Sequence, residues 1–561
     1  MLTAHNISKS YANHRIFSNL SFVIGNREKI ALIGQNGVGK STLLKILAGC
    51  EESDSGSITR GTSLVGYLPQ EINISFQETV AHYLKRVTGI SVIEEEMALL
   101  EGSLTDPSLL EHYGDLQSEY SRLNGYAFDH RIRIFLKGFN LDECAPDRLL
   151  TALSGGEKSK IALIGILLCV PDILLLDEPT NNIDLPAIIW LEMYLKSINA
   201  SCLIVSHDRL FLDAIATKVI EIEWYERTLC EYKGSYSDYC ANKEKRMRRE
   251  QELYAIQQKE LQRMKESAIN AQDWAQQGSR QTTSDNDKYI RGAQRDRSSG
   301  LARRAKTIQK HIEKTDVVKI TRERPQLIIP FAPRNDEAKH EIHLDNVAVS
   351  YPKGFHLSHL TIHVPYGSRV GIIGKNGSGK STILKVIAGE LQPSSGTLSI
   401  GQSLIIGNMM QAHENMPRSK TVMEFFEGCG VVDRQQAFST LSKFHISADD
   451  AISKRILTLS PGERARVLLA LYSVLEVNVL LLDEPTNHLD MEAVEALEHA
   501  LITYTGIIIF VSHDRSFLEH IHPTFLYMLS DGRLTLIDDY ESYVHSVTVE
   551  AQRLLSLLPA Q

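Results

Sequence analysis

The fold is decided by residues 30–42, which read IALIGQNGVGKST. Gly34, Gly39, Lys40 and Ser41 have the spacing G-x-x-x-x-G-K-S, between an apolar run and the helix-forming sequence TLLKILAG. In such a strand–loop–helix, glycines let backbone amides curl around phosphate oxygens. The lysine reaches the β- and γ-phosphates, and the serine hydroxyl reaches Mg²⁺. The stretch therefore predicts a nucleotide site.

The same pattern returns at residues 370–382, VGIIGKNGSGKST, and further blocks repeat in the same order. These blocks are LSGGE (153–157) and LSPGE (459–463), LLLDEPTNNID (174–184) and LLLDEPTNHLD (480–490), and LIVSHDR (203–209) and IFVSHDR (509–515). Matched blocks in one order predict two homologous α/β domains, each with its own P-loop.

The spacing of the blocks predicts an insertion in the first domain. Gln70 and Gln411 are 341 residues apart, whereas Ser154 and Ser460 are 306 apart, so the first domain holds 35 extra residues between these positions. The apolar pattern within about 93–126 fits two short helices broken near Gly102 and Pro107. We interpret this as a helical arm, with a tolerated surface insertion as the alternative.

A basic segment separates the two domains. Residues 241–324 contain 21 Lys/Arg and 12 Asp/Glu, a balance of +9, while the whole chain is −9, so the remainder sums to −18. Such a segment suggests a polyanionic partner. Its composition predicts a helix over about 236–274, a tip at about 275–293 and a second, antiparallel helix over about 294–320. At 1.5 Å per residue the first helix would be roughly 60 Å long.

Composition narrows the class of protein. Hydrophobic residues make up 43% and charged residues 23% of 561 residues, as in soluble globular proteins. The seven cysteines are scattered without a C-x-x-C, which indicates a reducing cytoplasm rather than disulfides or zinc. The start lacks the build of a signal peptide, and no apolar stretch predicts a membrane span.

Carboxylates and histidines follow the buried strands of both domains. Asp177 and Asp483 end apolar strands and can hold Mg²⁺ through water, and the adjacent Glu178 and Glu484 can orient or deprotonate an attacking water. The candidate catalytic set is completed by two histidines that follow the next strand at equal offsets, His207 and His513.

Taken together, the LSGGE, DEPTN and SHD blocks resemble the ATP-binding cassette (ABC) ATPases over roughly residues 1–235 and 340–545. The resemblance implies that each LSGGE block closes on the nucleotide held by the opposite P-loop. One ATP would lie between Gly34–Ser41 and Ser460–Gly462, and the other between Gly374–Ser381 and Ser154–Gly156.

Residue by residue, the resemblance implies two ATP·Mg²⁺ sites. The ATP-binding candidates are Tyr11, Gly34, Asn36, Gly37, Gly39, Lys40, Ser41, Thr42, Gln70, Ser154, Gly155, Gly156, Tyr351, Gly374, Asn376, Gly377, Gly379, Lys380, Ser381, Thr382, Gln411, Ser460 and Gly462. The Mg²⁺ candidates are Ser41, Gln70, Asp177, Ser381, Gln411 and Asp483. Pro461 replaces a usual glycine, and Asn182 stands where the second domain has His488, which suggests that the two sites differ.

The layout resembles the ABC-F family more narrowly, through YKGSYSDYCANKEKR at 232–246 and EIHLDNVAVSY at 341–351. The resemblance implies a cytoplasmic monomer that binds the 70S ribosome at the tRNA exit site. Its linker would reach toward the peptidyl-transferase centre, near 23S rRNA, exit-site proteins and P-site tRNA. ATP would close the domains, and hydrolysis would release the protein. The extended tip favours antibiotic resistance by ribosome protection over a housekeeping translation factor.

The predicted domains are residues 1–235, the linker 236–325, residues 326–545 and a short tail 546–561. The linker residues suited to rRNA phosphates are Arg246, Arg248, Arg249, Arg291, Arg295, Arg297, Arg303 and Arg304. Trp274 and Tyr289 could stack on bases, although Trp274 could equally pack between the helices, and the arginines could form a solvated face. A transporter subunit would need a membrane partner and would have no use for a long basic hairpin, so no membrane is expected. A DNA-associated ABC ATPase is expected to carry a C-terminal coiled coil, which this sequence lacks, so no DNA is expected either.

Overall fold

A computed structural model describes residues 1–11, 14–70, 77–101, 107–141, 146–280, 341–351, 356–401, 403–410, 416–431, 433–487 and 489–558, with isolated positions from 303 to 331. The chain forms two compact units. One comprises Met1–Tyr236 with Pro325–Gln561, and the other is Ser237–Arg324. Within the first unit, we call the parts before and after the linker the first and second domains.

The first domain combines an antiparallel sheet, a mainly parallel sheet and helices. Its strands are β1 (Leu2–Tyr11), β2 (His14–Ile24), β3 (Lys29–Ile33), β4 (Ser55–Thr59), β5 (Val65–Leu68), β6 (Ile173–Asp177), β7 (Ser201–Val205), β8 (Lys218–Ile222) and β9 (Leu229–Lys233). Its helices are α1 (Lys40–Ala48), α2 (Val80–Val87), α3 (Ile90–Glu101), α4 (Pro107–Arg122), α5 (Phe128–Gly138), α6 (Gly155–Leu168), α7 (Leu185–Ser197) and α8 (Arg209–Ile215).

The linker unit is described through one long helix, α9 (Tyr236–Arg280), of 45 residues. It continues through Gly278, where a break was predicted, because one glycine costs a helix only about 1 kcal/mol. Leu261 and Ala268, seven residues apart, are buried along this otherwise polar helix. The antiparallel second helix and most of the predicted tip lie outside the described residues.

The second domain repeats the first. Its strands are β10 (Ile342–Ser350), β11 (His356–Val364), β12 (Arg369–Gly374), β13 (Ser395–Ile400), β14 (Ile406–Met409), β15 (Val479–Asp483), β16 (Ile507–Val511), β17 (Phe525–Ser530) and β18 (Arg533–Leu536). Its helices are α10 (Lys380–Ile387), α11 (Val422–Gly428), α12 (Arg434–Lys443), α13 (Ala448–Ser453), α14 (Pro461–Val474), α15 (Met491–Thr503), α16 (Arg515–Ile521) and α17 (Tyr540–Leu555).

Both domains share one sheet topology. The antiparallel sheets have the orders β2-β1-β4 and β11-β10-β13, and the larger sheets have the orders β5-β6-β7-β3-β8-β9 and β14-β15-β16-β12-β17-β18. Only the last strand of each larger sheet runs antiparallel. The strands β6, β7, β15 and β16 are buried throughout, as expected for parallel sheets covered on both faces. The predicted α/β class is confirmed.

The insertion of the first domain contains α3 and α4, next to a helical layer packed around one tryptophan. Trp190 on α7 is 1% exposed, and its ring centroid lies 5.1 Å from that of Phe135 on α5. A side chain at Gly138 would place its Cβ 2.5 Å from the Trp190 ring, so glycine permits the close approach of α5 to α7. This packing supports α6 and α7, the two helices that follow the LSGGE and DEPTN blocks.

The C-terminal region differs from its prediction. Helix α17 (Tyr540–Leu555) runs across the boundary expected at residue 545, so residues 546–555 continue the helix and are not a separate tail. The helix packs against α7 and α5 of the first domain and so joins the two domains. Tyr540 and Tyr543 begin α17 as Tyr236 and Tyr239 begin α9, a repeat that the sequence contains but that the prediction did not use.

None of the helices among the described residues is long and apolar enough to cross a membrane.

Candidate nucleotide-binding sites

Each P-loop folds around its own lysine. Gly39 precedes α1 with a φ of 102°, a conformation that favours glycine, and a Cβ there would lie 2.4 Å from Cγ2 of Ile16. Nζ of Lys40 donates to the carbonyl oxygen of Gly34 at 2.5 Å and to that of Gln35 at 3.2 Å. The loop thus curls around the ammonium group and leaves its amides for a phosphate.

The second P-loop has the same build. Gly379 precedes α10 with a φ of 103°, and Nζ of Lys380 donates to the carbonyl oxygens of Gly374 at 2.8 Å and Lys375 at 2.9 Å. Burial lowers the pKa of Lys380, while nearby carboxylates, Glu484 first among them, raise it. The lysine is therefore a buried cation whose charge suits a polyanionic ligand.

The carboxyl ends of β6 and β15 carry the predicted acids beside these loops. Burial raises the pKa of Asp177, whereas the Ser41 hydroxyl and the ammonium group of Lys40 act in the opposite direction. The carboxylate oxygens of Asp177 are buried and make no well-formed hydrogen bond to described residues. An acid with unfilled acceptor sites beside a P-loop hydroxyl fits a hydrated Mg²⁺.

Glu178 and Glu484 have strained backbones at the strand ends. Their φ angles are 52° and 50°, unusual for residues other than glycine. Both conformations are held by backbone bonds, since the amide of Glu178 donates to the Val205 carbonyl at 2.8 Å and that of Glu484 to the Val511 carbonyl at 2.9 Å. Each strained residue lies where the chain leaves its strand, and Glu484 lines the cavity between the two domains.

Burial raises the pKa of Glu178 and of Glu484 to about 8, and the P-loop lysines limit the rise. Nε2 of His207 lies 3.1 Å from Oε1 of Glu178, and Nε2 of His513 lies 3.5 Å from Oε1 of Glu484. Burial and the charges of Lys380 and Lys160 lower the pKa of His513 well below its usual value, so that imidazole is neutral. Each glutamate thus forms a buried acid–imidazole pair.

One cavity of about 540 Å³ lies between the two domains. It is lined by the P-loop residues Gly377 and Gly379 to Thr382 of the second domain and by Ser154 and Gly156 of the first domain, with Tyr351 at its wall. Ser154 caps α6 by accepting from the Glu157 amide at 3.3 Å. The N-terminus of α6 therefore belongs to the same cavity as the opposite P-loop, where its amides and dipole favour an anion.

The residues after the DEPTN block cross to the opposite P-loop. The Asn376 amide donates to Oδ2 of Asp184 at 3.4 Å, and its side chain donates to the Asn182 carbonyl at 2.7 Å. Nε2 of His513 lies 3.1 Å from Oδ1 of Asn376. Asn376 therefore ties the second P-loop both to the first domain and to its own histidine.

The other P-loop contacts the second domain through different groups. Nε2 of Gln35 lies 2.9 Å from both carboxylate oxygens of Glu492. Burial lowers the pKa of Lys40, and Asp490 of the second domain is one of the carboxylates that act in the opposite direction. Ser460 caps α14 as Ser154 caps α6, and Pro461 occupies the first helical position, where proline is tolerated. The substitution removes one amide without disturbing the helix.

The comparisons with known proteins agree with this geometry. The sequence pattern of the ABC transporter family matches residues 17–181 and 357–487. Energy-dependent translational throttle protein EttA of Escherichia coli (strain K12) is 32% identical, over 96% of this chain and 95% of its own. Tylosin resistance ATP-binding protein TlrC of Streptomyces fradiae is 33% identical, over 92% of this chain and 94% of its own.

The chain belongs to the ABC-F family. A solved structure of archaeal ribosome recycling factor aABCE1, in complex with ribosomal stalk protein aP1, has the same tandem fold. Its TM-score is 0.57 at 18% identity, over 93% of this chain and 87% of that chain.

The ABC-F domains are additionally joined by two crossed ion pairs that sequence reasoning missed. Nη2 of Arg209 lies 3.0 Å from Oε2 of Glu498, and Nη2 of Arg515 lies 2.8 Å from Oε2 of Glu192. Arg209 and Arg515 are 306 residues apart, and so are Glu192 and Glu498. The two ion pairs are therefore equivalent, and each joins the arginine of one domain to the glutamate of the other. The sequence does contain a signal for these pairs, because both arginines belong to the repeated SHDR block and both glutamates share the same offset.

Several predicted ABC-F site residues have weaker structural support. Tyr11 is 46% exposed and its hydroxyl donates to Glu51. Gln70 is exposed, just after β5. Gly37 and Gly377 have φ angles of 84° and 80°, with open space at the position of a Cβ. Gln411 and His488 lie outside the described residues.

Most of the predicted RNA-contacting residues that are described in the linker of this ABC-F protein are exposed. Trp274 is 69% exposed. The second helix lies outside the described residues, so both interpretations of Trp274, stacking on bases and packing between the helices, stay open. Arg248, Arg249 and Arg303 are exposed, and Arg246 is partly buried. The remaining predicted contacts, Tyr289, Arg291, Arg295, Arg297 and Arg304, lie outside the described residues.

Proposed function

We propose that this ABC-F protein binds the 70S ribosome from the tRNA exit site with ATP bound and both domains closed, and that ATP hydrolysis releases it. The linker then reaches toward the peptidyl-transferase centre, beside 23S rRNA and P-site tRNA. The observation that carries this proposal is the pairing of a cross-domain nucleotide cavity with a 45-residue helix that begins the basic linker. The protein acts in the cytoplasm as a monomer.

In this proposal each nucleotide site hydrolyses ATP. Bound Mg²⁺·ATP supplies the phosphoryl group and neutralises its charge. Lys40 and Lys380 hold the phosphates, while Ser41 with Asp177 and Ser381 with Asp483 hold the ion, in line with the buried acid and the open P-loop space described above. Glu178 and Glu484 accept the proton of the attacking water, and His207 and His513 fix the orientation of each glutamate.

The proposed rRNA contact rests on the exposed arginines of α9. The side chains of Arg248 and its partner Glu252 are 82% and 66% exposed, and Nε of Arg248 lies 3.6 Å from the carboxylate. A pair this exposed contributes little, so a phosphate can displace the glutamate. Because the rest of the chain is acidic, a basic linker is the part suited to a polyanion.

The salt dependence of ribosome binding tests this contact. Replacing Arg246, Arg248 and Arg249 with serine should weaken binding and reduce the slope of log K against log salt by about 2 to 3. The matched control replaces three exposed cations of the second domain, Arg434, Lys443 and Lys454, with serine. Equal slopes for the linker variant, the control and the wild type would rule out phosphate contacts by α9.

We further propose that ribosome binding protects against antibiotics that act at the peptidyl-transferase centre or exit tunnel. Support comes from TlrC, whose name records tylosin resistance, and from the extended linker. EttA, named as a translational throttle, favours the alternative of a factor that regulates translation. Drug susceptibility decides between them in a host carrying the wild type, a 275–290 deletion or empty vector. Equal inhibitory concentrations for all three would favour the regulatory role.

A further inference from the structure

Three side chains meet on the solvent face of the antiparallel sheet of the second domain, away from the nucleotide sites. His343 on β10 lies directly opposite His363 on β11. The flanking partners Ile342 and Val364 are both buried. Because successive residues of a strand point to opposite faces, both imidazoles project to solvent on the same side. Glu341, two residues before His343, projects with them.

The three groups converge on one point. The two imidazole rings are stacked with centroids 4.3 Å apart and planes 11° apart. Nε2 of His343 lies 3.1 Å, and Nε2 of His363 lies 2.9 Å, from the same Oε2 atom of Glu341. The register of two strands holds the two imidazoles together, and Glu341 directly precedes the first of these strands.

We propose that Glu341, His343 and His363 form a zinc-binding site. Two imidazole nitrogens and one carboxylate oxygen are a donor set that Zn²⁺ takes, with bonds of about 2.0–2.2 Å. Ligands on a tetrahedron of that size are about 3.3 Å apart. The observed N···O distances of 2.9 and 3.1 Å are within a few tenths of an ångström of that value. Mg²⁺ and Ca²⁺ are disfavoured because they prefer oxygen ligands alone.

The site has a defined place in the chain. Glu341 directly precedes β10, and His363 is near the end of β11. A bound ion would fasten the start of β10 to the end of β11, where the chain enters the second domain. Three protein ligands on an exposed surface leave one position for water or a further ligand. None of the three residues belongs to the nucleotide machinery.

Zinc titration of the metal-free full chain, without an affinity tag, tests the site. The test variant is His343→Gln with His363→Gln. The matched control is His356→Gln with His359→Gln, two other exposed histidines of β11 that pair with Ser350 and Asn346 instead of a carboxylate. Calorimetry gives the stoichiometry, and Co²⁺ absorption reports nitrogen and oxygen ligation. Cysteines and other histidines contribute equally in both variants.

The wild type and the control should bind one equivalent of zinc that the test variant lacks, and Glu341→Gln should bind it at least tenfold more weakly. Zinc should also raise the unfolding temperature of the wild type but not of the test variant. Equal stoichiometry and affinity in the test variant and the control would overturn the proposal. If the test variant does not fold, His343→Gln alone decides by the same comparison.

Discussion

The crossed ion pairs give the sharpest prediction about domain closure. The side chains of Arg515 and Glu192 are 13% and 12% exposed, and those of Arg209 and Glu498 are 13% and 7% exposed. Burial alone would lower the pKa of Arg515, but the carboxylates of Asp208 and Glu192 together have a larger effect, so the pKa of Arg515 is raised. Removing one member strands a charge in the closed interface, at a cost of roughly 3–5 kcal/mol for a fully buried pair.

For Glu192→Ala we take the lower end, about 3 kcal/mol, because the pair keeps some solvent. That energy corresponds to a roughly 100-fold rise in the ATP concentration that half-closes the domains. If the charges are solvated when the domains are open, the same loss applies to Arg515→Ala. The double variant should lose less than the sum of the two, since no charge is left stranded.

Closure can be followed by energy transfer between dyes on non-natural residues at the exposed positions Leu64 and Ile452, one in each domain. Hydrolysis is blocked by Glu178→Gln with Glu484→Gln in every variant. Single variants within threefold of the parent, or single effects that simply add, would refute the role of the pairs.

Three further results are expected. Because burial raises the pKa of Glu178 and Glu484 to about 8 and a general base must be deprotonated, the ATPase rate should rise with pH between about 6 and 9; a flat profile for the chemical step would contradict this. Gly39→Ala should lower the unfolding temperature and nucleotide affinity through its clash with Ile16, whereas Gly89→Ala, with open space around it, should change nucleotide affinity little. Ser154→Ala should cost about 1 kcal/mol of helix stability through the lost cap and lower ATPase activity, as measured by denaturant unfolding and phosphate release.

The sequence predicted correctly those features that are formed by residues close together along the chain. A P-loop is one strand, one loop and one helix in succession, so Gly34 to Ser41 could be placed from the sequence alone. The repeat offset added the second domain, because equal spacing implies equal topology. Even the strand-end glutamates followed from position, although their positive φ angles did not.

Features that depend on how the domains face each other could not be derived in this way. The pairing of Arg209 with Glu498 spans 289 residues and requires the closed arrangement, although the shared offset of 306 residues marked both pairs. Helix α17 was missed because its partners, α5 and α7, belong to the other domain. Helix α9 extends past its predicted end near residue 274, because Gly278 alone costs too little to break a helix of strong helix formers.

Co-sedimentation with 70S ribosomes tests the central claim most directly. The Glu178→Gln with Glu484→Gln variant should pellet with ribosomes in ATP and stay in the supernatant in ADP, because the proposed function requires bound ATP to stabilise the closed, ribosome-binding state. The wild type should pellet only transiently if hydrolysis releases it, as proposed. Failure of the double variant to pellet in ATP, with nucleotide binding shown to be intact, would contradict the account.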